Sequence, residues 1–274
     1  MVLTMKLTKQ KLYNLIKEEI QKGTAERRWG PGVTQLINAP RELFMLPDGK
    51  VNTGWFEQNI GKYLGEGYSR MVFDLDISHT PPVVLKLAFE SDQPNSYNEG
   101  VQSNQLESQL FDRYPHCFPK TFGMFRDGEI ILMEKVDVIE ERNHYNMVLE
   151  NSFPSLGQGV EFLMQLGVKR IDVSWVWEKL LDSWDEIILG KDETAPLRYD
   201  FFMDELGSSV YGVKLTEQDK EKFFDLVTYD SRLMLWITTL RKLGVEFDEI
   251  RVGNVGTNST DDKLMLIDIS KFQS

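Results

Sequence analysis

The feature that most limits the fold is a change of periodicity near residue 138. Over residues 61–137 the apolar side chains come in short β-rich runs, Tyr63-Leu64, Met71-Val72-Phe73-Asp74-Leu75 and Val83-Val84-Leu85-Lys86-Leu87-Ala88. Gly65-Glu66-Gly67 and His79-Thr80-Pro81-Pro82 separate them. Residues 98–113 then read as a helix stopped by Pro115, and residues 120–125 with 129–136 as a hairpin across Arg126-Asp127-Gly128. From 138 to 246 the spacing is helical instead, with Trp, Leu, Ile and Phe recurring along 174–189 and 217–243 and breaks at Pro196 and Gly207. A β-rich lobe followed by a helical one makes this an α+β chain, and 274 residues at 41% hydrophobic content are enough for two lobes. The expected division is an N-terminal extension over 1–60, a β-rich lobe over 61–137 and a helical lobe over 138–274.

The extension carries its own signals. Thr8 can cap a helix over residues 8–22 in which Leu12, Ile16 and Ile20 recur every four positions before Gly23. Residues 24–60 are rich in turn signals, including Trp29-Gly30-Pro31-Gly32 and Leu46-Pro47-Asp48-Gly49, and are expected to wrap over another domain without a core of their own. A net charge of −12 opposes broad nucleic-acid binding. Cys117 is the only cysteine and His79, His116 and His144 are dispersed, which excludes a disulfide framework and a zinc cluster of recognised spacing. No apolar run is long enough for a bilayer and no signal-peptide core is visible, so the expectation is a cytoplasmic protein without a membrane partner.

Chemistry-bearing residues lie at both ends of this plan. Near the C-terminus a polar segment, Phe247-Asp248-Glu249-Ile250-Arg251-Val252-Gly253-Asn254, leads into a strand, and Leu264-Met265-Leu266-Ile267-Asp268-Ile269 reads as its partner across Asn258-Ser259-Thr260-Asp261-Asp262. A hairpin centred near Asp261 sets Asn254 opposite Asp268, so that an amide oxygen and a carboxylate converge as a hard cation such as Mg²⁺ requires. In the β-rich part, Gly65-Glu66-Gly67 is either a phosphate-approaching turn or a turn alone. Lys86 interrupts an apolar strand, as a functional ammonium or as a lysine that snorkels to water. Glu107 can pair with it, or face solvent on its helix.

In chain order these pieces are a glycine turn, a strand lysine, a helix glutamate, a hairpin ending in Met133-Glu134-Lys135, then Asn254 and Asp268 on a last hairpin. The set resembles the protein-kinase-like fold over about 61–137 and 244–270. The resemblance implies a two-lobed α+β architecture with a β-rich N-lobe and a mainly helical C-lobe. It also implies an ATP site with Gly65, Gly67 and Ser69 over the nucleotide, Lys86 on the α/β-phosphates, Glu107 orienting Lys86, and Glu134 at the cofactor. Asn254 and Asp268 would then hold Mg²⁺. Counting back from Asn254 at the family spacing reaches Glu249, preceded by Asp248, where the family has its catalytic base, and Arg251 stands for its phosphate-contacting lysine. More narrowly, Gly67 to Leu75, Val84-Leu85-Lys86 and Asn104-Gln105-Leu106-Glu107 look like small kinase-like proteins of bacteriophages.

Several positions depart from the family pattern. Arg70 replaces the third glycine of the loop, which bears on loop flexibility, and Ile269-Ser270 replaces the usual Phe-Gly. The sequence ends six residues after Asp268, so the expected fold is truncated after the metal-binding aspartate. Two functions are compatible with this pattern. One is a Mg²⁺–ATP-dependent phosphotransferase acting on an unidentified hydroxyl acceptor. The other is a catalytically inactive pseudokinase that serves as a protein-binding or host-modulating module.

Overall fold

The structure is a computed structural model and describes residues 29–48, 50–75, 81–189, 213–245, 250–258 and 262–267. The helix expected over 8–22 and the breaks at Pro196 and Gly207 lie outside these residues. The chain divides into two compact units, Met1–Gln109 with Lys120–Lys135, and Leu110–Pro119 with Val136–Ser274.

The first unit is built on a five-stranded antiparallel sheet, β1 (Tyr63–Glu66), β2 (Arg70–Asp74), β3 (Val83–Ala88), β4 (Thr121–Phe125) and β5 (Ile130–Glu134), in the order β1-β2-β3-β5-β4. Helix α3 (Ser96–Arg113) lies between β3 and β4 in sequence. The register pairs Val72 with Lys86 and Arg70 with Ala88, and Lys86 with Ile131 on the other side. Side chains alternate across a strand, so Arg70, Val72, Lys86, Ala88 and Ile131 share one face. Met71, Phe73, Leu85, Leu87, Ile130 and Leu132 share the other, and all six belong to one buried apolar cluster.

The extension completes that cluster. Residues 29–38 form helix α1 and Thr53–Asn59 form α2. Trp29, Val33, Leu36, Phe44, Val51 and Phe56 pack with the strand residues, Phe56 stacking on Phe73 at 4.5 Å between ring centroids. Arg126, at the β4–β5 turn, ties the segment down by donating to the Leu36 and Ala39 carbonyls at 3.2 and 2.8 Å. Glu129 accepts from Arg126 at 2.6 Å and pairs with Arg41 at 3.1 Å. Residues 29–60 therefore share a core with the sheet, and they cover the face opposite Lys86.

The second unit contains α4 (Arg142–Ser152), α5 (Pro154–Gln165), α6 (Val173–Leu189), α7 (Glu217–Thr228) and α8 (Ser231–Leu243). Phe153, Trp177 and Trp236 meet at its centre with centroids 5.5 to 6.1 Å apart. The helical spacing over 217–243 is realised as two helices. Asp230 accepts from the Arg232 and Leu233 amides and so starts α8 afresh, and Gly244 ends it with φ 65°. Strands β6 (Val136–Val138), β7 (Val255–Asn258) and β8 (Leu264–Leu266) form a second antiparallel sheet in that order. Among the described residues no helix is long and apolar enough to cross a membrane.

Candidate functional site

The expected lysine–glutamate pair is formed. Lys86 and Glu107 are 9% and 7% exposed, and the ammonium donates to Oε1 at 3.1 Å and to Oε2 at 3.0 Å. The local sequence accounts for this placement. Gly100, Asn104 and Glu107 are spaced to lie along one side of α3, and all three are buried. A Cβ on Gly100 would clash with the Ser69 carbonyl and lie 2.9 Å from the Ala88 Cβ. The absent side chain thus lets the helix approach the Lys86 face closely enough for the carboxylate to reach the strand.

A second cation shares the carboxylate. Arg70, 7% exposed, donates from its guanidinium to Glu107 Oε1 at 2.7 Å. It also reaches Asn104 Oδ1 at 3.4 Å, while the Asn104 amide donates to the Gly128 carbonyl at 2.8 Å. Burial pushes the Glu107 carboxyl upward, but the charges and hydrogen bonds of Arg70 and Lys86 outweigh it and hold the group below the usual carboxylate range. The residue in place of the third loop glycine thus turns inward onto the helix. Its charge sits beside a turn, where a solvated residue is the usual reading, and only the structure reveals its partner.

The glycine turn is a β-hairpin. Gly67 N–H donates to the Arg70 carbonyl at 2.9 Å, and the pairing shifts between Tyr63 and Gly65 as at a bulge. A Cβ at Gly65 or Gly67 would meet nothing within 4 Å, so the backbone is open to close approach there. The Ser69 carbonyl accepts from the Phe89 amide at 3.1 Å. Glu134 is not brought to Lys86. Alternation puts its side chain with Ile130 and Leu132 on the opposite face, paired across from Val83, and its Oε2 accepts from the Lys120 amide at 3.4 Å. A cavity of about 640 Å³ borders Gly67, but Val51, Met71 and Phe89 of the extension-covered core line it, together with Asp48, Glu66, Glu90 and Asp92 and a single cation, Lys50. Four carboxylates against one ammonium make a lining that disfavours a phosphate, and Lys86 and Arg70 are not among the lining residues.

In the second unit, the segment carrying Arg251 and Asn254 is fixed through its backbone. Tyr145 donates to the Ile250 carbonyl at 3.4 Å, Gly253 N–H to Ile139 at 2.9 Å, and Asn254 N–H to Arg251 at 3.0 Å. Strand β8 is held by the Leu264 amide donating to Ser152 Oγ at 2.9 Å and the Leu266 amide donating to the Cys117 carbonyl at 2.8 Å. The register corrects one expectation. Val255 pairs with Leu266 and Thr257 with Leu264, and the Ile267 amide donates to the Asn254 carbonyl at 3.0 Å. Asn254 therefore stands opposite Ile267, one residue short of Asp268, because the hairpin is centred half a residue before Asp261. Asp248, Glu249 and Asp268 lie outside the described residues. Among the described residues no group of three or more His, Cys, Asp or Glu side chains is placed to hold a metal ion.

No protein-family model matches the chain, and no curated protein matches it. Among solved structures it is similar to the kinase domain of PF14_0431, at 9% identity and a TM-score of 0.34, over 88% of this chain. The match spans 57% of that structure's chain.

Proposed function

We propose that the chain binds Mg²⁺–ATP against the Lys86 face of its five-stranded sheet and transfers the γ-phosphoryl group to a hydroxyl acceptor. The observation that carries this reading is the buried Lys86–Glu107 pair, made between a central strand and the helix that follows it. An ammonium within an apolar strand, oriented by a carboxylate, is the arrangement that grips nucleotide phosphates in kinase-like sites. The open backbone at Gly65 and Gly67 is compatible with a phosphate nearby.

In this reading Lys86 holds phosphate oxygens and Glu107 orients Lys86. Asn254 and Asp268 would hold Mg²⁺, an amide oxygen and a carboxylate being suitable donors for a hard cation. The bound nucleotide supplies the transferable phosphoryl group. Glu249 or Asp248 positions the acceptor hydroxyl, and Arg251 lies beside the transferred charge. Catalysis is then positioning and charge neutralisation by fixed groups.

Thermal unfolding with ATP, with and without Mg²⁺, tests the reading on wild type, Lys86→Met and Asp268→Asn. Saturation at about 100 times Kd stabilises the native state by about 2.7 kcal/mol, a rise of several degrees. The rise is expected in wild type, lost in Lys86→Met, and stripped of its Mg²⁺ dependence in Asp268→Asn. No rise in wild type overturns the proposal and leaves the alternative of a kinase-shaped binding module.

A further inference from the structure

We infer that Arg70 is a positioning residue for Lys86, keeping Glu107 and α3 in place so that the ammonium can engage a phosphate without losing its orienting carboxylate. This rests on the nucleotide reading above and concerns a residue for which the glycine pattern has no role.

The Glu107 carboxylate is the common partner of two buried cations. Arg70 takes Oε1 at 2.7 Å, the shortest contact in the cluster, and Lys86 spans Oε1 and Oε2 at 3.1 and 3.0 Å. A guanidinium is charged at every accessible pH and presents several fixed donors, so its hold on the carboxylate persists whatever Lys86 contacts. The same guanidinium nitrogen also reaches Asn104, three residues before Glu107 and therefore on the same side of α3. The Asn104 amide is committed to the Gly128 carbonyl at 2.8 Å, which directs its oxygen toward Arg70. Arg70 thus links β2, two positions on α3 and, through Asn104, the turn that precedes β5.

The effect on Lys86 follows from sharing. With Arg70 present, Glu107 is held by two partners and does not depend on the ammonium. When Lys86 moves toward a phosphate, the carboxylate stays where it is and keeps the lysine oriented. Without Arg70, Lys86 is the cation left to Glu107 among the described residues and is drawn onto it, so a phosphate must compete for the ammonium. The penalty falls on ligands that carry phosphate and spares a ligand with only the base and sugar. A residue that merely supported the fold would affect both alike.

The test is a fluorescence competition titration of Mg²⁺–ATP and of adenosine on wild type, Arg70→Gln and Arg70→Lys. Arg70→Gln is expected to weaken ATP binding about tenfold, equivalent to about one charge-assisted hydrogen bond, and to leave adenosine within about twofold. Arg70→Lys keeps the charge on a shorter side chain without the fixed guanidinium fork, so its ratio of ATP to adenosine affinity falls between the other two. Equal losses for both ligands, or an unchanged ratio, overturn the inference. If Arg70→Gln does not fold, as judged by circular dichroism, Arg70→Lys decides alone, and an unchanged ratio in it is the overturning result. Wild type that binds neither ligand overturns the nucleotide reading and this one with it. Wild type that binds ATP with a flat Arg70 series overturns this one only.

Discussion

Gly100 on α3 and Ala88 at the end of β3 are in such close approach that a Cβ on Gly100 would lie 2.9 Å from the Ala88 Cβ, and it would also clash with the Ser69 carbonyl. One obstacle is a backbone carbonyl of the β1–β2 turn and the other the methyl of a strand residue, and neither can swing aside. Helix propensity favours alanine over glycine by about 1 kcal/mol, whereas forcing a methyl into a packed contact costs about 1–3 kcal/mol. Gly100→Ala is therefore expected to lower the denaturant midpoint. Gly157→Ala is the matched control, because the atoms its Cβ would meet are the flexible end of the exposed Glu150 side chain, and it should be neutral or stabilising. Equal effects in the two variants would show that helix propensity, and not the approach to the sheet, decides the outcome.

Glu107 should make stability depend on acid in a way that one substitution removes. Its folded pKa is lowered, so its stabilising contribution is complete above the ordinary carboxylate value of about 4.3 and is lost as pH falls through the folded value. Glu107→Gln keeps the shape but removes the carboxylate charge that two buried cations share, at a cost on the order of 3 kcal/mol near neutral pH. Urea titrations of both proteins across the acid range should show the gap narrowing as pH falls below about 4.3. A gap that stays constant or widens with acid would contradict the assigned sign.

What could be read in advance was the residue whose environment contradicts its chemistry. Lys86 interrupts an apolar strand and Glu107 lies on the next helix, so each supplies the other with a partner. Arg70 carries the same charge but stands beside a glycine turn, where an exposed residue is the default, and its contact crosses 37 positions of sequence. The Trp29-Gly30-Pro31-Gly32 stretch reads as a turn because glycine and proline break helices. Within the described residues it is helical, and Gly32 allows a close approach to the Asn59 carbonyl that a side chain would prevent. The last hairpin differs from the expected register by one step because several polar residues in Asn258 to Asp262 can each centre a turn, and spacing alone does not choose among them.

Ser152 is 1% exposed and its hydroxyl accepts from the Leu264 amide at 2.9 Å. Ser152→Ala removes the acceptor of a buried backbone donor, a loss of about 1–3 kcal/mol. Because Leu264 begins β8, the damage should be local to the small sheet, with the Leu264 and Met265 amides exchanging faster than those of β3 and β5. Hydrogen exchange resolved by residue measures this, and uniform acceleration across both sheets would mean that the bond contributes only to global stability.

Cys117 converts that local opening into a chemical signal. Its thiol is 0% exposed, and burial pushes its pKa far up, only partly countered by a hydrogen bond with Thr239 and the charge of Arg232. The reactive species is the thiolate, so the folded protein should be nearly inert to a disulfide reagent such as Ellman's at pH 8, and one equivalent should react per chain in denaturant. The Cys117 carbonyl also receives the Leu266 amide at 2.8 Å, which ties the thiol's surroundings to β8. Ser152→Ala should therefore raise the labelling rate in native buffer, and by more than Gly100→Ala does at equal loss of global stability. If both variants label at the rate their stability predicts, the thiol becomes accessible only when the whole chain unfolds, and β8 does not open by itself.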